Sequence, residues 1–300
     1  MKLDYRQRDQ CGSRLLAYAK ITRLNRPIGI LLLAWPALWA LWIAAEGAPD
    51  PFILGVFLIG TVLMRSAGCV INDFADREFD GYVARTKGRP LPTGEVSDRE
   101  AAWLFVLLVA LSALLVSTLN EQTITLSFAA VGLAVIYPFM KRYTYLPQVY
   151  LGAAFGWAVP MAFAALTSAV PALAWLIFSA VILWVLVYDT EYAMVDRDDD
   201  LRVGIKSTAI LFAENDRLVI GVFQILLVID LCLIGRQAEL AWPYYVAVAI
   251  GALLLVHQQW LIRARAPAAC FAAFMQNNWF GLVIFIGVVL SYSHIVRVLA

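Results

Sequence analysis

Long apolar runs, separated by shorter polar breaks, dominate the chain. Residues 1–26 are polar and basic, and the first apolar run then spans 27–45. The second starts at Pro51 and runs into an acidic stretch that ends at Asp80. Further runs occupy 101–118, 123–139, 147–166, 171–188, 218–234, 241–262 and 278–299. They approach the roughly 20 residues an α-helix needs to span a bilayer. The runs are continuous, without the alternation of a β-barrel. The pattern predicts an all-α, polytopic membrane bundle of nine transmembrane helices, built as one domain over residues 1–300. Residues 1–26 form a polar N-terminal segment in this reading. Two long polar loops are expected at 73–100 and 189–217.

Composition and charge sharpen the picture. The 300 residues are 62% hydrophobic and 15% charged, against roughly 25% charged in soluble domains. The net charge of +1 says nothing about partners, but its distribution does. Of the 23 Lys and Arg residues, all but Arg65, Arg236 and Arg297 lie in the N-terminal segment or after the second, fourth, sixth and eighth helices. Basic residues collect on the cytoplasmic side of a membrane. The N-terminus and both long polar loops are therefore expected in the cytoplasm, and the C-terminus outside. The opposite breaks, such as 46–50 and 120–122, are tight. Chemistry is expected on the polar, cytoplasmic face. Cys11, Cys69, Cys232 and Cys270 show no CxxC spacing and read as free thiols. His257 and His294 stand alone in apolar runs and read as structural. The first apolar run is too long for a signal-peptide core, so no cleavable leader is expected.

Two acidic stretches interrupt the apolar pattern at one membrane level. Asn72, Asp76 and Asp80 recur every four residues. On a helix each such step turns by about 40°, so they form one stripe, with Asp73 to its side. Asp189, Asp196 and Asp200 form a second stripe. Stacked carboxylates repel unless a cation sits among them, and acids at membrane depth are functional candidates by default. Hard oxygen donors suit Mg²⁺, which keeps waters and shares substrate phosphates. Asn72, Asp73, Asp76, Asp80, Asp189, Asp196 and Asp200 are thus candidate metal ligands, arranged to hold two Mg²⁺ ions around a diphosphate while a C–O bond breaks. The bland reading is an acidic helix end solvated at the membrane surface, and it is the better one for Asp198 and Asp199.

Arg65 lies seven residues before Asn72, on the same face and about two turns deeper. An arginine there needs a partner, either a substrate carboxylate or an acid in a structural ion pair. Tyr137 and Lys141 end the fourth helix at the level of the acids, although Lys141 and Arg142 also read as plain membrane anchors. Lys206 follows the second stretch and adds charge for phosphate oxygens.

These residues resemble the UbiA superfamily of intramembrane prenyltransferases. The family's NDxxDxxxD motif and the basic loop after it match Asn72, Asp73, Asp76 and Asp80, then Arg85, Arg89 and Gly94. Its second motif matches Asp196 to Asp200, preceded by Asp189, and its YxxxK element matches Tyr137 and Lys141. Arg26 to Gly29, Tyr137 to Tyr143, Tyr188 to Thr208 and Phe274 to Asn278 look like its 4-hydroxybenzoate polyprenyltransferase branch. The resemblance implies Mg²⁺-dependent transfer of a polyprenyl group from its diphosphate to 4-hydroxybenzoate, ortho to the hydroxyl, in ubiquinone biosynthesis. It implies a bacterial inner membrane, an active site facing the cytoplasm, lipid around the prenyl tail, and no nucleic-acid partner. Asp76, Asp196, Tyr137 and Lys141 become candidate catalytic residues. Arg65, Asn72, Arg85, Arg89, Tyr137, Lys141, Arg142 and Lys206 become candidate substrate-binding residues. Relatives acting on homogentisate, dihydroxynaphthoate or porphyrin acceptors share the acidic motifs.

Two rival readings fit less of the chain. The CDP-alcohol phosphotransferase motif matches Asp80, Gly81, Ala84, Arg85, Gly94 and Asp98, but its final aspartate falls on Ala102. A cation-coupled transporter predicts acids near the bilayer midplane on broken helices, whereas these cluster at helix ends against basic loops.

Overall fold

The structure, a computed structural model, describes residues 14–78, 80–82 and 86–293. Among these it is all-helical. A short helix, α1, covers residues 14–21. There follow α2 (Ile28–Ala44), α3 (Pro51–Asp76), α4 (Asp98–Val116), α5 (Glu121–Tyr143), α6 (Pro147–Gly156), α7 (Ala158–Thr167), α8 (Ala172–Val203), α9 (Thr208–Phe212), α10 (Asp216–Gln237), α11 (Trp242–Leu261) and α12 (Pro267–Ser291). Eight spans are long and apolar enough to cross a membrane by length and composition, with α6–α7 as one span and α9–α10 as another. The ninth predicted segment is α2, a shorter apolar helix of 17 residues.

Local chemistry starts the helices where the sequence pattern places them. Asp50 accepts the backbone N–H groups of Phe52 and Ile53 at 2.8 and 3.1 Å, ahead of Pro51 at the first helical position. These satisfy donors that a helix start leaves open. Ser97 and Glu100 form a reciprocal capping box at the start of α4. Asn120 caps α5 through the Thr123 N–H at 3.0 Å.

Four expected boundaries are corrected. The sixth predicted helix does not stop at Tyr188 but continues to Val203, where Gly204 takes a left-handed φ of 79° and its N–H closes on Asp200. Polarity marks where apolar packing ends, while the backbone turns only where a residue tolerates that conformation. Most of the supposed loop 189–217 is therefore helix. The fifth predicted helix breaks at Trp157 into α6 and α7, because Pro160 has no N–H to donate to the Gly156 carbonyl. The fourth continues past Phe139 to Tyr143, so Lys141 and Arg142 lie in its last turn. The ninth begins at Pro267 rather than at residue 278. Its polar Asn277 and Asn278 are absorbed by side-chain bonds from Trp184 at 2.8 Å and Trp35 at 3.1 Å.

At the centre, α8 packs against α6, α10 and α12, while α2 lies between α7 and α12. The junction is aromatic. Trp39 stacks on Trp184 at 5.1 Å, and Trp184 meets Tyr188 edge-on at 5.5 Å and Phe280 at 5.4 Å. Such pairs prefer defined geometries, so they fix the rotation of α8 and with it the direction of the acidic stripe. α4 and α5 are peripheral. Leu107, Leu111, Leu114 and Phe128 stand exposed on them, as lipid-facing positions do. Cys69, Cys232 and Cys270 are free thiols, and Cys11 lies outside the described residues. His257 meets Gln276 at 3.1 Å and stacks on Trp260, in line with a structural role. His294 lies outside the described residues.

Candidate active site

The last turns of α3 carry the first acidic motif. The Asn72 amide donates to Asp76 Oδ2 at 3.1 Å, and the Lys141 ammonium donates to the same oxygen. The stripe outlasts the helix, since the Asp80 N–H bonds the Asp76 carbonyl at 2.9 Å. Arg89 donates to Asp80 Oδ2 at 2.7 Å and to Asp73 Oδ1 at 3.0 Å. Asp73 is 1% exposed and also accepts Arg23 on both oxygens at 2.8 Å. Buried carboxylates demand such cations, because an unpaired one is very costly. Sequence reasoning missed Arg23, since nothing in the pattern brings residue 23 beside residue 73. Arg85 lies outside the described residues.

The end of α5 supplies the facing wall. The Tyr137 hydroxyl donates to the Gly68 carbonyl at 3.4 Å. Lys141 is committed to Asp76, so it is more than an anchor. Arg142 donates to the Ala75 carbonyl and lies 5.8 Å from the centre of the Phe139 ring, which ties α5 to α3. Lys206 hooks the segment after α8 onto the same end. Its backbone N–H bonds the Lys141 carbonyl at 3.0 Å, and its ammonium lies 3.3 Å from the Tyr143 carbonyl and 5.4 Å from the centre of the Tyr145 ring.

The second motif lies on α8. Asp189, Asp196 and Asp200 are half-buried and Asp198 is exposed. Arg197 is held away from the acids by the buried Asp216, 3.5 Å distant, and by the Ala213 carbonyl at 3.3 Å. Tyr137 lies within electrostatic reach of both Asp76 and Asp189. A cleft of about 500 Å³, lined by Glu78, Tyr82, Asp199, Arg202 and Val203, lies between the segment after α3 and the end of α8.

Arg65 lies away from the acidic end of α3, about three turns before Asp76. It has no carboxylate partner among the described residues. One guanidinium nitrogen donates to Cys69 Sγ at 2.7 Å, the group lies 5.9 Å from the centre of the Phe155 ring, and Nε is buried without a partner. Tyr137, Tyr188 and Tyr192 surround it electrostatically, and the buried Tyr188 hydroxyl is also unpartnered. The guanidinium rests against Gly29, where a Cβ would collide with it. Sequence reasoning missed Tyr188 as a polar group facing Arg65, because it reads there as one more aromatic of an apolar helix.

The candidate metal ligands fit Mg²⁺ by chemistry. They are hard oxygens, and Asp76 Oδ1 is buried and unpartnered. Among the described residues no three His, Cys, Asp or Glu side chains form a ready-made metal shell; Asp73, Asp76 and Asp80 are turned to Arg23, Lys141 and Arg89. Mg²⁺ draws much of its shell from water and phosphate, so a few protein oxygens suffice.

The family model described as "UbiA prenyltransferase family" matches residues 33–289. A Citrobacter koseri protein named 4-hydroxybenzoate octaprenyltransferase is 59% identical over 280 residues, covering 93% of this chain and 97% of that one. An Escherichia fergusonii protein of the same name is 57% identical over 282 residues, covering 94% and 97%. Among solved structures, the apo UbiA homologue from Aeropyrum pernix K1 matches with a TM-score of 0.78 at 24% identity, over 88% of this chain and 98% of that one. A homologue from Archaeoglobus fulgidus, bound to GPP and Mg²⁺, matches with a TM-score of 0.69 at 18% identity, over 91% and 99%. The family removes the CDP-alcohol phosphotransferase and transporter readings. This chain belongs to the UbiA prenyltransferase family.

Proposed function

We propose that this chain transfers the polyprenyl group of a polyprenyl diphosphate to 4-hydroxybenzoate, at the carbon ortho to the hydroxyl, as a step of ubiquinone biosynthesis. The activity named for its relatives at 57–59% identity supports the reaction. The observation that carries it in the structure is Tyr137, within electrostatic reach of Asp76, Asp189 and Arg65, together with an Arg65 whose Nε is unpartnered and which has no carboxylate partner among the described residues.

Each part has work in that reaction. Asn72, Asp76, Asp80, Asp189, Asp196 and Asp200 are the proposed holders of Mg²⁺. Bound Mg²⁺ neutralises the diphosphate as it leaves with the electrons of the broken C–O bond. Lys141, Arg89 and Lys206, with Arg85, add positive charge for the phosphate oxygens. Tyr137, within electrostatic reach of Asp76, Asp189 and Arg65, is the proposed neighbour of the allylic cation. Arg65 receives the carboxylate of the acceptor, since a guanidinium fork matches a carboxylate. The ring then faces the cation, its ortho carbon forms the new C–C bond, and loss of the ortho proton restores aromaticity. The aromatic walls keep out water that would quench the cation. Arg142 serves the α3–α5 contact. We place the chain as one domain in a bacterial inner membrane with the acidic face in the cytoplasm, and the prenyl tail in lipid.

The test is purified protein in detergent with Mg²⁺, a labelled short prenyl diphosphate and a panel of aromatic acids. Prenylated 4-hydroxybenzoate is the expected product. Equal or better transfer to homogentisate or dihydroxynaphthoate would reassign the acceptor.

A further inference from the structure

Residues 14–23 form a strap against α3 beside the first acidic motif. Ala17 and Ile21 of α1 are buried in a cluster with Ala67, Val70, Leu91 and Val96. Arg14 and Tyr18 donate to Glu100, and Lys20 pairs with Glu95 at 3.3 Å. The strap thus grips α3, the start of α4 and the basic loop between them. It ends at Arg23, whose φ of 58° is left-handed, an uncommon conformation for a residue with a side chain. The Arg23 fork is fixed at both tips. Nη1 donates to the Lys20 carbonyl at 2.7 Å, and Nη2 donates to both oxygens of Asp73 at 2.8 Å.

Asp73 is therefore shared by two guanidinium groups. Arg89 reaches it at 3.0 Å with the same nitrogen that reaches Asp80 at 2.7 Å. A buried carboxylate that loses one of its cations is left with uncompensated charge, which is costly and favours a closer approach of the remaining one. With Arg23 meeting part of that demand, Arg89 stays divided between Asp73 and Asp80.

We infer that Arg23 is a positioning residue of the diphosphate site, acting through Asp73 to set where Arg89 stands, and that Asp73 anchors these two arginines instead of holding metal. This rests on the prenyl-transfer reading above.

The experiment uses full-length Arg23→Ala, Arg23→Lys, Asp73→Asn and the double variant Arg23→Ala/Asp73→Asn in detergent. For each, the dissociation constant of inorganic diphosphate with Mg²⁺, both substrate KM values, kcat and the thermal unfolding midpoint are measured. Arg23→Ala is expected to weaken diphosphate binding and raise the prenyl diphosphate KM about tenfold, the size of one lost charge-assisted contact. The acceptor KM stays within about twofold, because Arg65 is untouched. Arg23→Lys recovers part of the loss. The double variant binds diphosphate no worse than Asp73→Asn alone, since Arg23 then has nothing to act through. Additive losses in the double variant would overturn action through Asp73. A lowered unfolding midpoint with equal losses for both substrates, not recovered by Arg23→Lys, would reduce the contact to a fold-stabilising one. If wild type binds diphosphate but prenylates no aromatic acid, the transfer reading fails while the diphosphate measurements still decide the role of Arg23.

Discussion

At the residue scale, Arg65 is the proposed receptor of the acceptor carboxylate. Its neighbours are a thiol, a phenyl ring and three phenols, and its Nε lacks a partner. Arg65→Ala should raise the 4-hydroxybenzoate KM about 30-fold or more, the effect of losing roughly 2 kcal/mol of charge-assisted hydrogen bonding. The prenyl diphosphate KM should barely move. Gly29→Ala is the finer probe. The atoms nearest the new methyl group all belong to the Arg65 guanidinium, so the unfolding midpoint should stay near wild type while the acceptor KM rises. Steady-state kinetics with each substrate varied checks both, and an unchanged acceptor KM in both variants sends the carboxylate elsewhere. The acids behave differently. Asp76→Ala and Asp196→Ala should each lower kcat about 100-fold or more, as lost transition-state stabilisers do, in protein that still elutes as a folded, monodisperse species. Excess EDTA should stop wild-type turnover and added Mg²⁺ restore it; full activity in EDTA would falsify the metal assignment.

At the element scale, α8 is aimed by what it packs on. Asn277 on α12 accepts from Trp184 at 2.8 Å and donates to Glu191 at 3.1 Å, so one amide spans two turns of α8. Trp184, Glu191 and Asn277 are all fully buried. Asn277→Leu removes both partners at once and leaves two buried polar groups unsatisfied, each worth about 1–3 kcal/mol. A clear drop in the unfolding midpoint is expected, measured by thermal shift in detergent. Activity should fall with it, because a rotated α8 carries Asp189 away from Tyr137. An unchanged midpoint would mean that the aromatic stack alone fixes α8.

At the scale of the whole molecule, chemistry and charge share one end. The basic loops, both acidic motifs and the cleft lined by Glu78, Tyr82, Asp199 and Arg202 lie together, while the Asn120 cap belongs to the opposite end of α5. The bias of basic residues predicts that the site end faces the cytoplasm. In a cysteine-free background, Gln122→Cys should react with a membrane-impermeant maleimide in intact cells, and Arg202→Cys only after the membrane is opened. The reverse pattern would invert the topology.

Much of this molecule was legible in its sequence. Of the nine apolar runs, eight correspond among the described residues to helical spans long and apolar enough to cross a membrane and the first to the shorter helix α2, because a run that must bury its backbone polar groups in lipid has few choices besides a helix. The two acidic stripes and the Tyr137–Lys141 spacing could be read for the same reason: helical periodicity is local and fixes which side chains share a face. Helix ends were less legible. Composition shows where water begins, whereas Gly204 and Pro160 decide where the helices around them stop or break. What only the tertiary structure decided is which charges meet. Nothing local links Arg23 to Asp73, Lys141 to Asp76 or Asn277 to Glu191, at separations of 50, 65 and 86 residues. Buried charges choose partners by proximity in space and by the cost of having none, and that cost is settled only when the helices have packed.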